Sequence, residues 1–289
     1  MNEIGVSLHV GTLLDEPETD AQAVLKQEYG TVQNMLAFLR SQNVASIEVR
    51  NVREKMPVEK SVAAIRVCHD AGFKVSVHVA FEERSGSEYA YRVRGVLDAA
   101  LEGQDALMLT LHPIPSDAEL TLKKYEDWSG ALYAKDARIS VALENMRVTK
   151  PNTEANRLTS VYQVVNALEN TVGRGLCWDM GHYAYNVRAL ALSGESVPDR
   201  AVRARMIHTH IHSLYIPDDA RLPEEMKRTD THYPLKKQNE PVAEYVRTLM
   251  ADGYKGLYNI ELEPERFIGI CTPRTGFESS VIGLREMMK

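Results

Sequence analysis

Histidines and carboxylates stand at the ends of six short apolar runs in this sequence. The runs VSVH, LMLTLH, SVALE, LCWD, IHTH and YNIE end in His78, His112, Glu144, Asp179, His210 and Glu261. Buried parallel strands normally read as continuous apolar segments, so one such residue alone would be a hydrogen-bonded interior group. Because histidines or carboxylates recur at the ends of six runs, we infer that they form one functional site. Imidazole nitrogens and carboxylate oxygens together bind Zn²⁺, and also Mn²⁺, so the pattern predicts a divalent metal site.

Two local motifs add candidate ligands. In Asp179-Met180-Gly181-His182, a carboxylate and an imidazole three residues apart could serve adjacent metal ions. In Asp230-Thr231-His232, alternate side chains of an extended segment point the same way, so both ligands could reach one ion. Neither motif by itself is specific for a metal site.

Three further histidines in the apolar runs need an assignment. The seventh run contains His208, His210 and His212, which share one face of a regular strand. One or two of them are expected to bind metal, and His208 is read as a buried layer residue. His9 ends the first apolar run, which suits a contact to substrate or a support for the ligands.

Short β-branched runs alternate with longer amphipathic stretches along the chain. The predicted strands are Ile4 to Val10, Ser46 to Val49, Lys74 to Val79, Asp105 to His112, Ile139 to Glu144, Gly175 to Asp179, Met206 to His212 and Leu257 to Leu262. The predicted helices include Val24 to Gln42, Val58 to Ala71, Tyr89 to Leu101, Leu158 to Leu168 and Val242 to Ala251. Eight such units predict the α/β class and one (β/α)₈ TIM barrel domain over residues 1–289, with the metal site at its C-terminal face. An open doubly wound sheet is the alternative.

Glycines and one long connection support this division of the chain. Gly72, Gly103, Gly173 and Gly253 each stand just before a predicted strand, where a helix would end in a left-handed cap. The stretch from Ser213 to Asn239 is long for a barrel connection and therefore predicts a functional loop.

Composition limits the function classes. With 44% hydrophobic and 26% charged residues, the chain suits a globular protein with a large core. A net charge of −6 weakens any general attraction to nucleic acid. No membrane-spanning run or signal peptide is visible, so a cytoplasmic location is expected, with the three cysteines as reduced thiols. A homo-oligomer is compatible with such a barrel.

These residues resemble the xylose-isomerase-like TIM barrel superfamily, AP endonuclease family 2, which includes sugar isomerases and epimerases as well as endonuclease IV enzymes. The resemblance covers nearly the whole chain. It implies that Glu144, Asp179, His210 and Glu261 bind one ion, as in the one-metal sugar enzymes. Endonuclease IV enzymes bind three zinc ions with nine ligands, and the further positions match His78, His112, His182, Asp230 and His232. The resemblance thus implies one to three ions, Zn²⁺ or Mn²⁺.

The chain departs from endonuclease IV in its DNA-recognition segments. The first strand continues as His9-Val10-Gly11-Thr12-Leu13, and the third is followed by Phe81-Glu82-Glu83-Arg84. After the Asp-x-His segment, Lys236-Lys237-Gln238 replaces the usual Gly-x-Gly. These departures disfavour DNA as a substrate without affecting the predicted metal chemistry.

Two enzyme functions and one other class follow. The first is a metal-dependent isomerase or epimerase of a sugar or sugar phosphate, in which Glu144 and Glu261 exchange a proton with carbon. The second is an endonuclease IV-like hydrolase of phosphoesters, with Arg147, Lys150 and Arg266 as contacts to an anionic substrate. A metal-stabilised binding protein without catalysis is the third. The missing DNA-recognition segments favour the isomerase or epimerase.

Overall fold

The computed structural model of the protein describes residues 3–53, 55–80, 87–114, 118–148, 158–168, 173–189, 197–215, 230–235 and 240–289. Its strands are β1 (Glu3–His9), β2 (Val44–Val52), β3 (Lys74–Ala80), β4 (Leu107–His112), β5 (Ile139–Glu144), β6 (Arg174–Asp179), β7 (Met206–Ile211), β8 (Ser213–Tyr215), β9 (Asp230–Tyr233) and β10 (Leu257–Ile260). The strand ranges predicted from apolar runs agree with the eight strands of the barrel.

Eight parallel strands form a closed barrel in the order β1-β10-β7-β6-β5-β4-β3-β2. Neighbouring strands end level with each other, since Ala80 pairs with His112 and Asp179 pairs with His210. Closure confirms the predicted TIM barrel and excludes the open sheet. Residues remote in sequence therefore meet at the C-terminal rim.

Helices surround the barrel. They are α1 (Val10–Leu13), α2 (Asp20–Tyr29), α3 (Val32–Ser41), α4 (Val58–Asp70), α5 (Ser87–Ala100), α6 (Ala118–Lys135), α7 (Val161–Ala167), α8 (Met180–Ala189), α9 (Arg200–Arg203), α10 (Glu240–Ala251), α11 (Pro264–Phe267) and α12 (Pro273–Met287). Within the described part of the chain, no helix is both long and apolar enough to cross a membrane.

The core lies between the barrel wall and this helical layer. Val6, Ile47, Val77 and Val141 from the strands are fully buried, as are Ile65 of α4 and Leu284 of α12. Cys68 and Cys177 are buried free thiols.

One predicted helix is wrong in extent. The stretch from Val24 to Gln42 forms two helices, α2 and α3, rather than one. Gly30 adopts φ +78° and ends α2, while the Thr31 side chain accepts a hydrogen bond from the Asn34 amide and begins α3. Cap residues in the middle of an amphipathic pattern therefore mark a break that periodicity alone does not show.

The four glycines predicted as left-handed caps all have positive φ, between +75° and +79°. The long connection after β7 contains β8 and β9, which pair antiparallel with each other. Residues 216–229 and 236–239 of that connection lie outside the described residues, as do residues 81–86.

Candidate metal centre

Four buried side chains converge where β5, β6, β7 and β10 end. Each offers a ligand atom within 4.8 Å of the others, and the group comprises Glu144, Asp179, His210 and Glu261. His210 Nδ1 lies 3.1 Å from Glu261 Oε2 and 3.6 Å from Glu144 Oε1. The structure thus brings together the four residues that the resemblance assigned to one ion.

The hydrogen bonds of the His210 ring indicate whether these four residues could bind a cation. His210 Nε2 lies 3.0 Å from Glu48 Oε1, and an ionised carboxylate can only accept, so Nε2 donates the hydrogen bond. In the neutral ring, Nδ1 then carries a lone pair and lies 3.1 Å from Glu261 Oε2. Neither of these two buried atoms has a hydrogen-bond partner among the described residues. Two buried acceptors this close to each other repel unless a cation or a proton binds them, so the donor set fits a divalent ion.

Without a metal ion, a proton on His210 meets this requirement. Burial lowers the pKa of His210, but the neighbouring carboxylates Glu261, Glu48 and Glu144 outweigh it and raise that pKa well above its usual range. A divalent ion would replace that proton.

Glu48 of β2 is a support that the sequence analysis missed. Besides His210, it accepts hydrogen bonds from Ser7 Oγ at 2.7 Å, Asn259 Nδ2 at 3.1 Å, Thr110 Oγ1 at 3.2 Å and His208 Nε2 at 3.0 Å. Burial alone would raise the pKa of Glu48, but His210 and His208 hold it well below its usual range. The available signal was an acidic residue inside a predicted buried strand. His208 is the buried layer residue that was predicted.

Arg50 is a second missed support on β2. Its guanidinium lies 3.0 Å from Glu261 Oε1 and 3.5 Å from Glu263 Oε1. Although burial would raise the pKa of Glu261, Arg50 and His210 hold it well below its usual range. Arg50 therefore occupies one oxygen of Glu261 and leaves Oε2 facing the other ligands.

A second group shares Asp179 with the first. It consists of the buried residues Asp179, His182, His212 and His232, again with ligand atoms within 4.8 Å of one another. His182 Nδ1 lies 3.1 Å from the Asn145 carbonyl, so Nδ1 donates and Nε2 remains an acceptor. Asn145 also bonds the backbone of Asp179 through both amide atoms, at 2.9 and 3.1 Å. Of this group, His212 was not chosen from the sequence.

His78 and His112 lie beside the first group. His78 Nε2 is 3.0 Å from Glu144 Oε2, and the rings of His78 and His112 are 5.9 Å apart. His112 Nδ1 donates to the Pro113 carbonyl at 2.9 Å, which leaves its Nε2 as an acceptor. The structure thus places both histidines near Glu144, as the nine-ligand pattern requires.

Asp230 and His232 have different side-chain partners. It pairs with Arg147 and with Arg266, the latter at 2.8 Å to both carboxylate oxygens, and 29% of its side chain is exposed. His232 is buried and adopts φ +65°, which breaks the alternation that the extended Asp230-Thr231-His232 motif predicted. Among the described residues, Asp230 belongs to none of the groups whose ligand atoms lie within 4.8 Å of one another, and its role as a ligand stays a prediction.

The predicted substrate contacts have different surroundings. Arg147 and Arg266 converge on Asp230, and Arg266 also pairs with Glu263. His9 has two buried ring nitrogens without a hydrogen-bond partner among the described residues, and burial, with Arg50, lowers its pKa well below the usual range. Lys150 lies outside the described residues.

Comparison with known proteins gives structural neighbours and a family. No curated protein matches the sequence. A sugar phosphate isomerase/epimerase from Parabacteroides distasonis is similar in structure, with a TM-score of 0.56, 15% identity and coverage of 100% of this chain and 96% of that one. Homocysteine methyltransferase from Escherichia coli aligns with a TM-score of 0.50, 13% identity and coverage of 99% and 96%. At these identities the likeness shows the fold.

The family assignment rests on the sequence itself. The model of the xylose isomerase-like TIM barrel family matches residues 46–287, which include most of β2, all later elements through α12 and every residue of the two ligand groups. The closed barrel agrees with that description. The chain therefore belongs to the xylose isomerase-like TIM barrel family.

Proposed function

We propose that the protein is a divalent-metal-dependent isomerase or epimerase that acts on a sugar or sugar phosphate. The observation that carries the proposal is the convergence of Glu144, Asp179, His210 and Glu261, with the buried acceptors His210 Nδ1 and Glu261 Oε2 only 3.1 Å apart. The P. distasonis protein that shares the fold is itself named a sugar phosphate isomerase/epimerase.

In this proposal the four residues hold one ion, Zn²⁺ or Mn²⁺. When bound, the ion would act as a Lewis acid that acidifies the carbon–hydrogen bond beside a substrate carbonyl. Glu144 and Glu261 would take up and return that proton, since both are carboxylates at the same point of the barrel rim. Arg50 binds Oε1 of Glu261 and keeps this carboxylate ionised, so that it can accept a proton. His9 offers two ring nitrogens, without partners among the described residues, as contacts to substrate hydroxyls.

A second candidate is a phosphoester hydrolase with clustered metal ions, like the endonuclease IV enzymes. Its supporting observation is the second ligand group, which shares Asp179 with the first. Adjacent ions could neutralise a phosphate during in-line displacement. Arg147 and Arg266 would contact the anionic substrate once released from Asp230. Abasic DNA remains the less favoured substrate.

The test is solvent hydrogen exchange in a substrate screen. Wild type and Glu261→Gln, loaded with Zn²⁺ or Mn²⁺, are incubated in D₂O with sugars, sugar phosphates and abasic DNA. We expect deuterium on carbon in the wild-type product and turnover lower by about 10²-fold or more in Glu261→Gln, the scale of lost general acid–base catalysis. Glu244→Gln, an exposed carboxylate of α10, is the control and should match wild type.

Release of phosphate or cleavage of a phosphodiester by wild type, without carbon exchange, would decide for the hydrolase. Absence of turnover on the entire panel, with metal bound, would argue for the non-catalytic binding protein.

A further inference from the structure

His212 follows β7 and touches both the ligand Asp179 and the strand β9. Its Nε2 lies 3.0 Å from Asp179 Oδ1, and its Nδ1 lies 2.8 Å from the backbone nitrogen of His232. The rings of His212 and His232 stack with centroids 4.1 Å apart. The side chain is fully buried, so protein contacts rather than solvent set the state of its ring.

The backbone contact decides where the ring proton lies. An amide N–H can only donate, so His212 Nδ1 accepts and carries no proton. The Ser213 carbonyl lies 3.3 Å from the same nitrogen, farther than the His232 amide. A neutral imidazole has one N–H, which must then be on Nε2, where it donates to Asp179. A protonated nitrogen has no lone pair for a metal ion.

We propose that His212 is a positioning residue rather than a metal ligand. Its ring donates a hydrogen bond that orients the Asp179 carboxylate and accepts one from the His232 amide, so it connects Asp179 to β9. The inference rests on the proposed metal site. The second group is then reduced to Asp179, His182 and His232 as ligands. His212 supports this group as Glu48 supports the first, because a hydrogen bond to a ligand sets its orientation.

Gly181 provides independent support for a fixed His212 ring. A Cβ on Gly181 would lie 1.9 Å from His212 Cε1 and 2.0 Å from Nδ1, so the ring is packed directly on the glycine of the Asp-Met-Gly-His motif. Any side chain at position 181 would displace the imidazole. The motif therefore needs glycine because of His212.

Two substitutions separate the two contacts of His212. In His212→Asn the amide oxygen replaces Nδ1 and keeps an acceptor for the His232 amide, but no donor reaches Asp179. In His212→Gln the amide nitrogen replaces Nε2 and keeps the donor to Asp179, but the acceptor is lost. The measurements are zinc affinity by chelator competition and hydrogen exchange of the His232 amide in the metal-free protein.

We expect His212→Asn to bind zinc about 10- to 100-fold more weakly with the His232 amide still protected. His212→Gln should bind zinc more tightly than His212→Asn, and its His232 amide should exchange about fivefold faster than wild type, the effect of one lost hydrogen bond. If both variants lose zinc equally and the amide exchange is unchanged in both, His212 is a ligand and the inference is wrong.

Nitrogen NMR of the metal-free wild type gives the tautomer without any substitution. A proton on Nε2 of His212 supports the inference, and a proton on Nδ1 overturns it, even if both variants fail to fold. Gly181→Ala should impair zinc affinity and amide protection together. Gly95→Ala is its control, since Gly95 also lies in a helix and the nearest atom to its Cβ would be 3.8 Å away.

The experiments distinguish a wrong metal site from a wrong role for His212. If wild type binds no zinc, the proposed metal site is wrong, whereas the tautomer and the His232 amide exchange still decide whether His212 joins Asp179 to β9.

Discussion

Two charged side chains of β2 set how the ligands face each other. Glu48 and Arg50 are two residues apart on one strand, so both point into the barrel. Glu48 accepts from His210 Nε2, and Arg50 holds Glu261 Oε1. The remaining nitrogen and oxygen lie 3.1 Å apart, so the side chains of these two candidate ligands are held in place without an ion.

Loss of the Glu48 charge should weaken metal binding. In Glu48→Gln the amide group faces donors from several strands, so one of its hydrogen bonds is replaced by a donor–donor contact. We expect zinc affinity to fall about 10- to 100-fold and the free energy of unfolding to fall by about 1 to 3 kcal/mol. Chelator competition and urea unfolding measure the two effects. Equal zinc affinity in Glu48→Gln and in the exposed control Glu244→Gln would contradict the role of Glu48.

At the scale of elements, cap residues decide where helices end and strands begin. The glycines before β3, β4, β6 and β10 were predictable because a left-handed cap favours glycine. The division of α2 from α3 depends on Gly30 and Thr31, whose cap geometry is local but is hidden within a continuous apolar pattern. The pairing of β8 with β9 depends on contacts between distant segments, which no periodicity contains.

Substitution of a cap glycine should lower stability without affecting the site. Gly253 has φ +79°, and a Cβ added there would meet no atom within 4 Å, so Gly253→Ala is opposed only by the left-handed backbone. We expect the free energy of unfolding to fall by about 1 to 2 kcal/mol. Gly269→Ala is the control, because Gly269 also has open space and no left-handed φ. Equal stability of the two variants would show that backbone conformation is not the cause.

At the scale of the molecule, barrel closure is what brings the candidate metal ligands together. The six polar run ends could be predicted from the sequence because parallel strands place their ends on one face. The sequence could not predict which of the candidate residues lie close together. Asp230 pairs with Arg147 and Arg266, and His212 lies beside Asp179. The contacts of Glu48 and Arg50 with β10 join strands at opposite ends of the sequence, a separation that local patterns do not span.

A bound ion should stabilise the whole barrel, because its ligands come from four strands. At a free Zn²⁺ or Mn²⁺ concentration about 100-fold above the dissociation constant, the free energy of unfolding should rise by about 2.7 kcal/mol. Thermal unfolding with and without metal measures this change, and a chelator should reverse it. A midpoint that is the same in both conditions would count against a site built by the barrel.

The most direct test of the central claim is metal content per chain. Wild type, loaded with Zn²⁺ or Mn²⁺ and freed of excess, is compared with Asp179→Asn, which alters the residue shared by both ligand groups. The account predicts at least one tightly bound ion per wild-type chain and an affinity lower by about 10²-fold or more in Asp179→Asn, with Glu244→Gln unchanged. No bound metal in wild type, or the same content in Asp179→Asn, would contradict it.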